Sequence, residues 1–302
     1  MFILAQLIGL AIIHAYHTPY TQEIYNETSQ SYQNVTINNS LPYGYQTPDI
    51  APKDAIFSIV SAIIIAVLLI FFLMKIRAHI FLRIWFFVVS TIAIAVSLNA
   101  IAIILNLSLP HISILALIIA LPLAFYKVFR RHILIHNLTE LAIYPGIAAI
   151  LVPIFNIWTI IILLILISIY DIWAVWHSGF MQKMAKYQMN EVKVFGGFFI
   201  PYLLPKDKAM LAKMKKTKNK KDEKKIKVSL AILGGGDVAY PLIAAGVVLL
   251  AKGFIPSLLV VLCSALSLLL LFVYSKKGKY YPAMPFLTSG IFLGMALAYW
   301  LF

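Results

Sequence analysis

Apolar stretches of roughly 20 residues recur along this chain from one end to the other, and that recurrence limits the fold more than any other feature. A helix rises about 1.5 Å per residue, so about 20 apolar residues cross the roughly 30 Å hydrocarbon core of a bilayer. Lipid offers the backbone no water to bond, so such runs span as helices that satisfy their own N–H and C=O groups. The runs are Phe2–His14, Ile56–Met74, Ile84–Leu105, Ile112–Phe129, Leu138–Phe155, Ile157–Trp176, Val228–Leu250, Phe254–Tyr274 and Phe286–Phe302. The first is short, and the fifth carries Glu140, Pro145 and Gly146. The 302 residues are 62% hydrophobic and 12% charged. Soluble domains run at about 45–50% and about 25%, so a soluble globular enzyme is excluded. The reading is an all-α polytopic membrane protein with nine transmembrane helices.

Lys and Arg favour the cytoplasmic side of a membrane, and here they alternate in the way that rule requires. Lys75, Arg77 and Arg83 separate the second and third runs, Lys127, Arg130 and Arg131 the fourth and fifth, and Lys276, Lys277 and Lys279 the eighth and ninth. Residues 177–227 hold fourteen lysines against four acids, most of the net charge of +14. The predicted topology has a cytosolic N-terminus and an external C-terminus. It divides the chain into helices one to six (1–176, with an external loop over 17–55), a lysine-rich cytosolic insert (177–227) and helices seven to nine (228–302). The external loop contains three glycosylation acceptor triplets, at Asn26, Asn34 and Asn38, of a kind an Asn-rich polar loop also produces by chance. No basic segment precedes the first apolar run, which argues against a signal peptide. Lys213 to Lys227 lacks interleaved aromatics, so a solvated flank beside anionic lipid explains it better than a nucleic-acid arm. The single cysteine, Cys263, lies in an apolar run and excludes a disulfide framework or a Cys-based metal site.

Of the 11 acidic residues, only Asp171 and Asp237 fall well inside apolar spans. A carboxylate there costs about 2.5–3.5 kcal/mol on insertion scales, more than packing alone would retain. Counting from the span ends places Asp171 about 9 Å from the cytosolic end of helix six and Asp237 about 15 Å into helix seven. The spans are antiparallel neighbours, so the two carboxyls can meet in the cytoplasmic half of the membrane. No Lys, Arg or His lies in the middle of either span, and two carboxyls brought together in a low dielectric share a proton rather than both ionise. One can then take a proton from water while the other donates to a scissile carbonyl oxygen. Asp237 follows Gly234-Gly235-Gly236, which costs about 1 kcal/mol per glycine in a helix and lets another backbone approach the carboxyl.

Tyr170-Asp171 and Gly234-Gly235-Gly236-Asp237 resemble the YD and GxGD signatures of the presenilin and signal peptide peptidase family of intramembrane aspartyl proteases, here in a form with small soluble portions, as in prokaryotic or archaeal homologues. The resemblance covers nearly the whole chain in order. It implies a presenilin-like fold, Asp171 and Asp237 as the catalytic pair, and Tyr170, Gly234, Gly235 and Gly236 as residues shaping the site. The implied substrate is a transmembrane segment, such as a signal-peptide remnant or a type II membrane protein, cut within the bilayer. The family's PAL motif has two candidates, Pro282-Ala283-Met284 and Pro285-Phe286-Leu287. The second is preferred because it adjoins the ninth span. The resemblance also implies that extended segments near Phe198–Pro205 and Ile226–Val228 add to an unwound substrate as strands.

The seven histidines show no H-E-x-x-H spacing, so the expected chemistry needs neither metal nor organic cofactor. Glu140 reads as an interfacial residue near the cytosolic end of helix five, where its charge suits the helix dipole. A different class, a proton-coupled transporter or cation channel, would use the same two carboxylates to relay ions. Its expected marks, inverted repeats and broken helices in both halves, are not evident.

Overall fold

Each of the nine apolar runs contributes a helix, and the interior forms where their inward faces meet. The computed structural model describes residues 1–18, 20–26, 31–37, 41–45, 52–76, 78–107, 111–130, 132–176, 187, 194–202, 229–275 and 281–302. The helices are α1 (Phe2–His17), α2 (Pro52–Lys75), α3 (His79–Ile104), α4 (Ile112–Phe125), α5 (Ile133–Leu151), α6 (Ile157–Trp176), α7 (Gly235–Lys252), α8 (Phe254–Tyr274) and α9 (Met284–Leu301). A π-helical turn, Tyr126–Arg130, continues α4, and a 3-10 turn, Val152–Ile154, ends α5. Helices α3 to α9 are long and apolar enough to cross a bilayer, and the chain is a multi-pass integral membrane protein.

The short first helix is set into the bundle along one face. Its 16 residues span only about 24 Å, yet Ala5, Gln6, Leu10, Ile12 and Ile13 are almost fully buried. It packs on α5 and α7. The outward faces are apolar instead: along α6, Trp158, Ile162, Ile165, Ile169 and Trp173 recur every three or four residues and stay exposed, while Ile160, Leu163, Leu164, Asp171 and Ala174 turn inward. This is the pattern of a helix with lipid on one side and a bundle on the other. Asp171 is on the inner stripe.

Two helix contacts are close enough to require glycine. A Cβ on Gly146 of α5 would collide with the Ala93 carbonyl oxygen of α3, and one on Gly294 of α9 would lie 2.7 Å from Val260 Cα of α8. Small residues let membrane helices approach this closely, and the gain is van der Waals contact. Gly146→Ala meets backbone that no rotamer change can clear. It is expected to destabilise the bundle by about 1–3 kcal/mol, read as a lower unfolding midpoint in detergent.

The fold is mostly rather than wholly helical. Strands β1 (Tyr20–Asn26) and β2 (Ser31–Ile37) pair antiparallel within the predicted external loop, and Asn26 and Asn34 lie on them; the Asn38 triplet is outside the described residues. Strands β3 (Gly197–Tyr202) and β4 (Ser229–Gly234) pair antiparallel, with Gly197 opposite Gly234 and Tyr202 opposite Ser229. Most of the lysine-rich 177–227 segment, and residues 226–228, fall outside the described residues. The second sheet corrects the expected helix seven. Its first residues, from Ser229 to Gly234, are a strand, and the helix begins at Gly235. Pairing with β3 satisfies backbone groups that a glycine-rich helix would hold at high entropic cost.

Candidate active site

The glycine run is a junction. Gly234 is the N-cap of α7, with extended backbone (φ −62°, ψ 144°), and Asp237 falls in the first helical turn. The expected depth of about 15 Å inside a helix is therefore replaced by a helix N-terminus. The Asp237 carboxyl turns back toward the Gly234 backbone N–H, the reach of a third helical residue in a capping box. A Cβ on Gly234 would sit 3.1 Å from Asp237 Oδ2. Gly235 donates its N–H to the Gly196 carbonyl at 3.2 Å, and its own missing Cβ would meet the Tyr144 hydroxyl at 2.8 Å. Gly236 is exposed and crowded only by Tyr240. Thus Gly235 carries the close approach, and Gly234 lets the chain turn beside the carboxyl. From α1, Gln6 Nε2 donates to the Val238 carbonyl at 2.9 Å, tying that helix to this turn.

Asp171 reaches the site from α6. Its side chain is buried, at 4% exposure, and Oδ2 accepts the Met284 backbone N–H at 3.0 Å. The Ala283 backbone N–H also faces it. One turn away, Ser168 and Thr288 hydroxyls meet at 2.8 Å and hold α6 against the start of α9. Helices α6, α7 and α9 pack on one another, and the two carboxyls are near enough for the charge of Asp171 to act on Asp237. Amides at the start of a helix, and the partial positive charge they carry, take the place of the Lys, Arg or His that the middle of neither span contains.

The two Pro segments separate clearly. Pro282-Ala283-Met284 is the one that reaches Asp171, through its backbone, whereas the preferred Pro285-Phe286-Leu287 already lies in α9. Leu287 is buried in the core, Phe286 is 40% exposed, and the Phe286 carbonyl accepts the Ser267 hydroxyl of α8. The reason is where α9 begins: at Met284, two residues earlier than expected, so its free N-terminal amides are those of 283 and 284. Tyr170 is 37% exposed, with its ring 6.4 Å from that of Trp173.

Helix α5 contributes a polar stripe that the sequence reading missed. His136, Asn137, Glu140 and Tyr144 are all buried, and the four-residue spacing of 136, 140 and 144 puts them on one face. Glu140 is 1% exposed, not interfacial: α5 begins at Ile133, five residues earlier than expected, which carries Glu140 two turns into the helix and turns it inward. It pairs with Lys127, itself buried in the π-helical turn rather than free in a cytosolic loop. The same oxygen, Oε1, accepts the Gly197 N–H at 3.3 Å and lies 3.5 Å from His136 Nε2. Tyr144 stacks edge-on against Phe198, ring centroids 5.5 Å apart.

Two carboxyls within electrostatic reach of each other on packed helices, each beside helix-start amides and one of them just after a strand, form an arrangement suited to activating water next to an extended peptide. The whole chain superposes on two crystal forms of a presenilin family intramembrane aspartate protease, with TM-scores of 0.60 and 0.59 at 15% identity. All of this chain is covered, with 96% and 95% of those chains. At that identity the likeness concerns the fold. No curated protein matches by sequence. The model of one family, described as signal-peptide peptidase, presenilin aspartyl protease, matches residues 33–302. On that match, which takes in α2 to α9 and both carboxyls, the chain belongs to the presenilin and signal-peptide peptidase family of intramembrane aspartyl proteases.

Proposed function

We propose that Asp171 and Asp237 hydrolyse a peptide bond of a transmembrane substrate presented as an extended strand along β4. What supports this reading is that Asp237 stands in the first helical turn after β4 and that Asp171, on a helix packed beside it, is near enough for its charge to act there. One carboxylate takes a proton from water, whose oxygen attacks the scissile carbonyl carbon. The other carboxyl gives its proton to the carbonyl oxygen. The gem-diol then collapses with the carbon–nitrogen bond breaking, the amine leaving with one proton and a carboxyl recovering another. The Met284 and Ala283 amides orient Asp171, and the cap geometry at Gly234 orients Asp237. Both groups belong to the side of the membrane that carries the lysine-rich 177–227 segment, taken as cytosolic under the positive-inside rule.

A helical substrate must unwind before its carbonyl can be attacked, and its freed N–H and C=O groups then need partners in a place without water. The sheet can supply them on one edge. Gly197 and Phe199 direct their N–H groups to α5, so in the alternating antiparallel ladder Phe198 and Ile200 face β4. Their partners Leu233 and Ala231 face back toward β3, so Ile232 points its N–H and C=O outward and Gly234 its C=O, the Gly234 N–H being turned to Asp237. No other described strand pairs with that edge. Ile232→Pro removes an outward N–H while sparing the bonds to β3. Cleavage of a single-span peptide in detergent is expected to fall at least tenfold, with the unfolding midpoint nearly unchanged. Cleavage at the wild-type rate would remove the β4 edge from the reading. This is a cleaner test than deleting the outer part of β3, which would also strip Phe199 from Asn137.

A further inference from the structure

We infer that the polar stripe of α5 serves as a rigid stand-in for a third strand, closing the far edge of β3 so that a substrate can add only to β4 and in only one register. The proposal deepens the β4-edge reading and rests on it. Asn137 is the key residue. Its side-chain amide donates through Nδ2 to the Phe199 carbonyl at 2.7 Å and accepts the Phe199 N–H on Oδ1 at 3.0 Å. That pair of bonds is what an opposing residue in an antiparallel strand would make. One position along, His136 Nε2 meets the Gly197 carbonyl at 2.8 Å, and Glu140 Oε1 takes the Gly197 N–H. The next outward position of β3 is Pro201, which has no N–H to leave unsatisfied. Every outward N–H from Gly197 to Pro201 is therefore accounted for by α5 or by proline.

A two-stranded ribbon is marginal by itself and slides easily in register, and an open edge would accept peptide on the wrong side. Here two consecutive outward positions are bonded from a helix that also packs on α1, α3 and α7, and the third is a proline. Glu140 is held in turn by Lys127 on the π-helical turn. The ring of His136 lies 4.7 Å from that of Phe199, and Tyr144 packs on Phe198, so β3 is gripped through side chains as well as backbone. Since β4 is registered on β3 and runs into Gly234 and Asp237, the α5 stripe sets where a strand on β4 stands relative to the two carboxyls. Asn137 is a positioning residue in this scheme; it does not touch the reacting atoms.

Asn137→Leu keeps the side-chain volume and removes both polar atoms. With a single-span peptide as probe, the expected result is a fall in kcat/KM of about tenfold, the size set by two modest hydrogen bonds. Cleavage should also spread to bonds flanking the wild-type site, read by mass spectrometry, and amide exchange across 197–202 should quicken while α8 and α9 keep their protection. Asn137→Ser retains one hydroxyl and should give an intermediate spread of products; it carries the test if the leucine variant does not fold. A folded variant of either kind that cuts the wild-type bond alone at the wild-type rate overturns the proposal. If Ile232→Pro abolishes cleavage at the same time, only the α5 clamp has failed. If Ile232→Pro cleaves normally, the β4-edge reading itself has failed.

Discussion

Asp171→Asn and Asp237→Asn are each expected to lower peptide hydrolysis by about 10³-fold or more while leaving the protein folded. An amide has the shape of the carboxyl but can neither take a proton from water nor supply one to the carbonyl oxygen. The folded state has little reason to suffer. An asparagine at 171 still offers an oxygen to the Met284 N–H that Asp171 accepts now, and at 237 it still offers one to the first turn of α7. Each change takes an ionisable group out of an apolar bundle, so the unfolding midpoint should hold or rise. The two losses should not add: a pair that shares one proton acts as a unit, so the double variant is expected to be no slower than either single one. The measurement is product formation from a single-span peptide, with thermal unfolding of each variant alongside. Activity within tenfold of wild type in either folded single variant would remove the dyad.

The largest effect on stability is expected at Lys127, not at Asp171 or Asp237. Lys127 and Glu140 are 5% and 1% exposed and hold each other in a setting with few other charges. Lys127→Met leaves the Glu140 carboxylate buried without its cation, a change of the kind that costs about 3–5 kcal/mol. Replacing both, as Lys127→Met with Glu140→Gln, removes the stranded charge. It also keeps an oxygen for the Gly197 N–H, so most of the lost stability should return. Chemical or thermal unfolding in detergent reads this directly. Equal stability of the single and double variants would mean that the pair is not isolated as the geometry indicates.

Much of the architecture was legible because the bilayer imposes a local rule. A run of about 20 apolar residues is a span wherever it occurs, and the sixth and eighth helices begin and end where their apolar runs do. Asp171 and Asp237 stood out for the same local reason, since a carboxyl among apolar residues is costly wherever the chain later goes. The polar stripe of α5 was visible in principle, as His136, Asn137, Glu140 and Tyr144 at helical spacing. It was lost because the apolar run suggested a start at Leu138. That start excluded His136 and Asn137 and left Glu140 near a helix end.

The amino-acid sequence by itself determined a polytopic helical bundle and its two intramembrane acids, because hydropathy and the cost of burying charge are properties of short stretches. Only the tertiary structure decided that helix α7 starts at Gly235, that the amides of 283 and 284 bind Asp171, and that Lys127 is buried. Each of these depends on partners distant in the chain: β3 lies some thirty residues before β4, and Met284 lies 113 residues after Asp171. A glycine-rich stretch has almost no conformational preference of its own. Whether it becomes strand or helix is settled by which backbone groups come within hydrogen-bonding reach after the helices have packed.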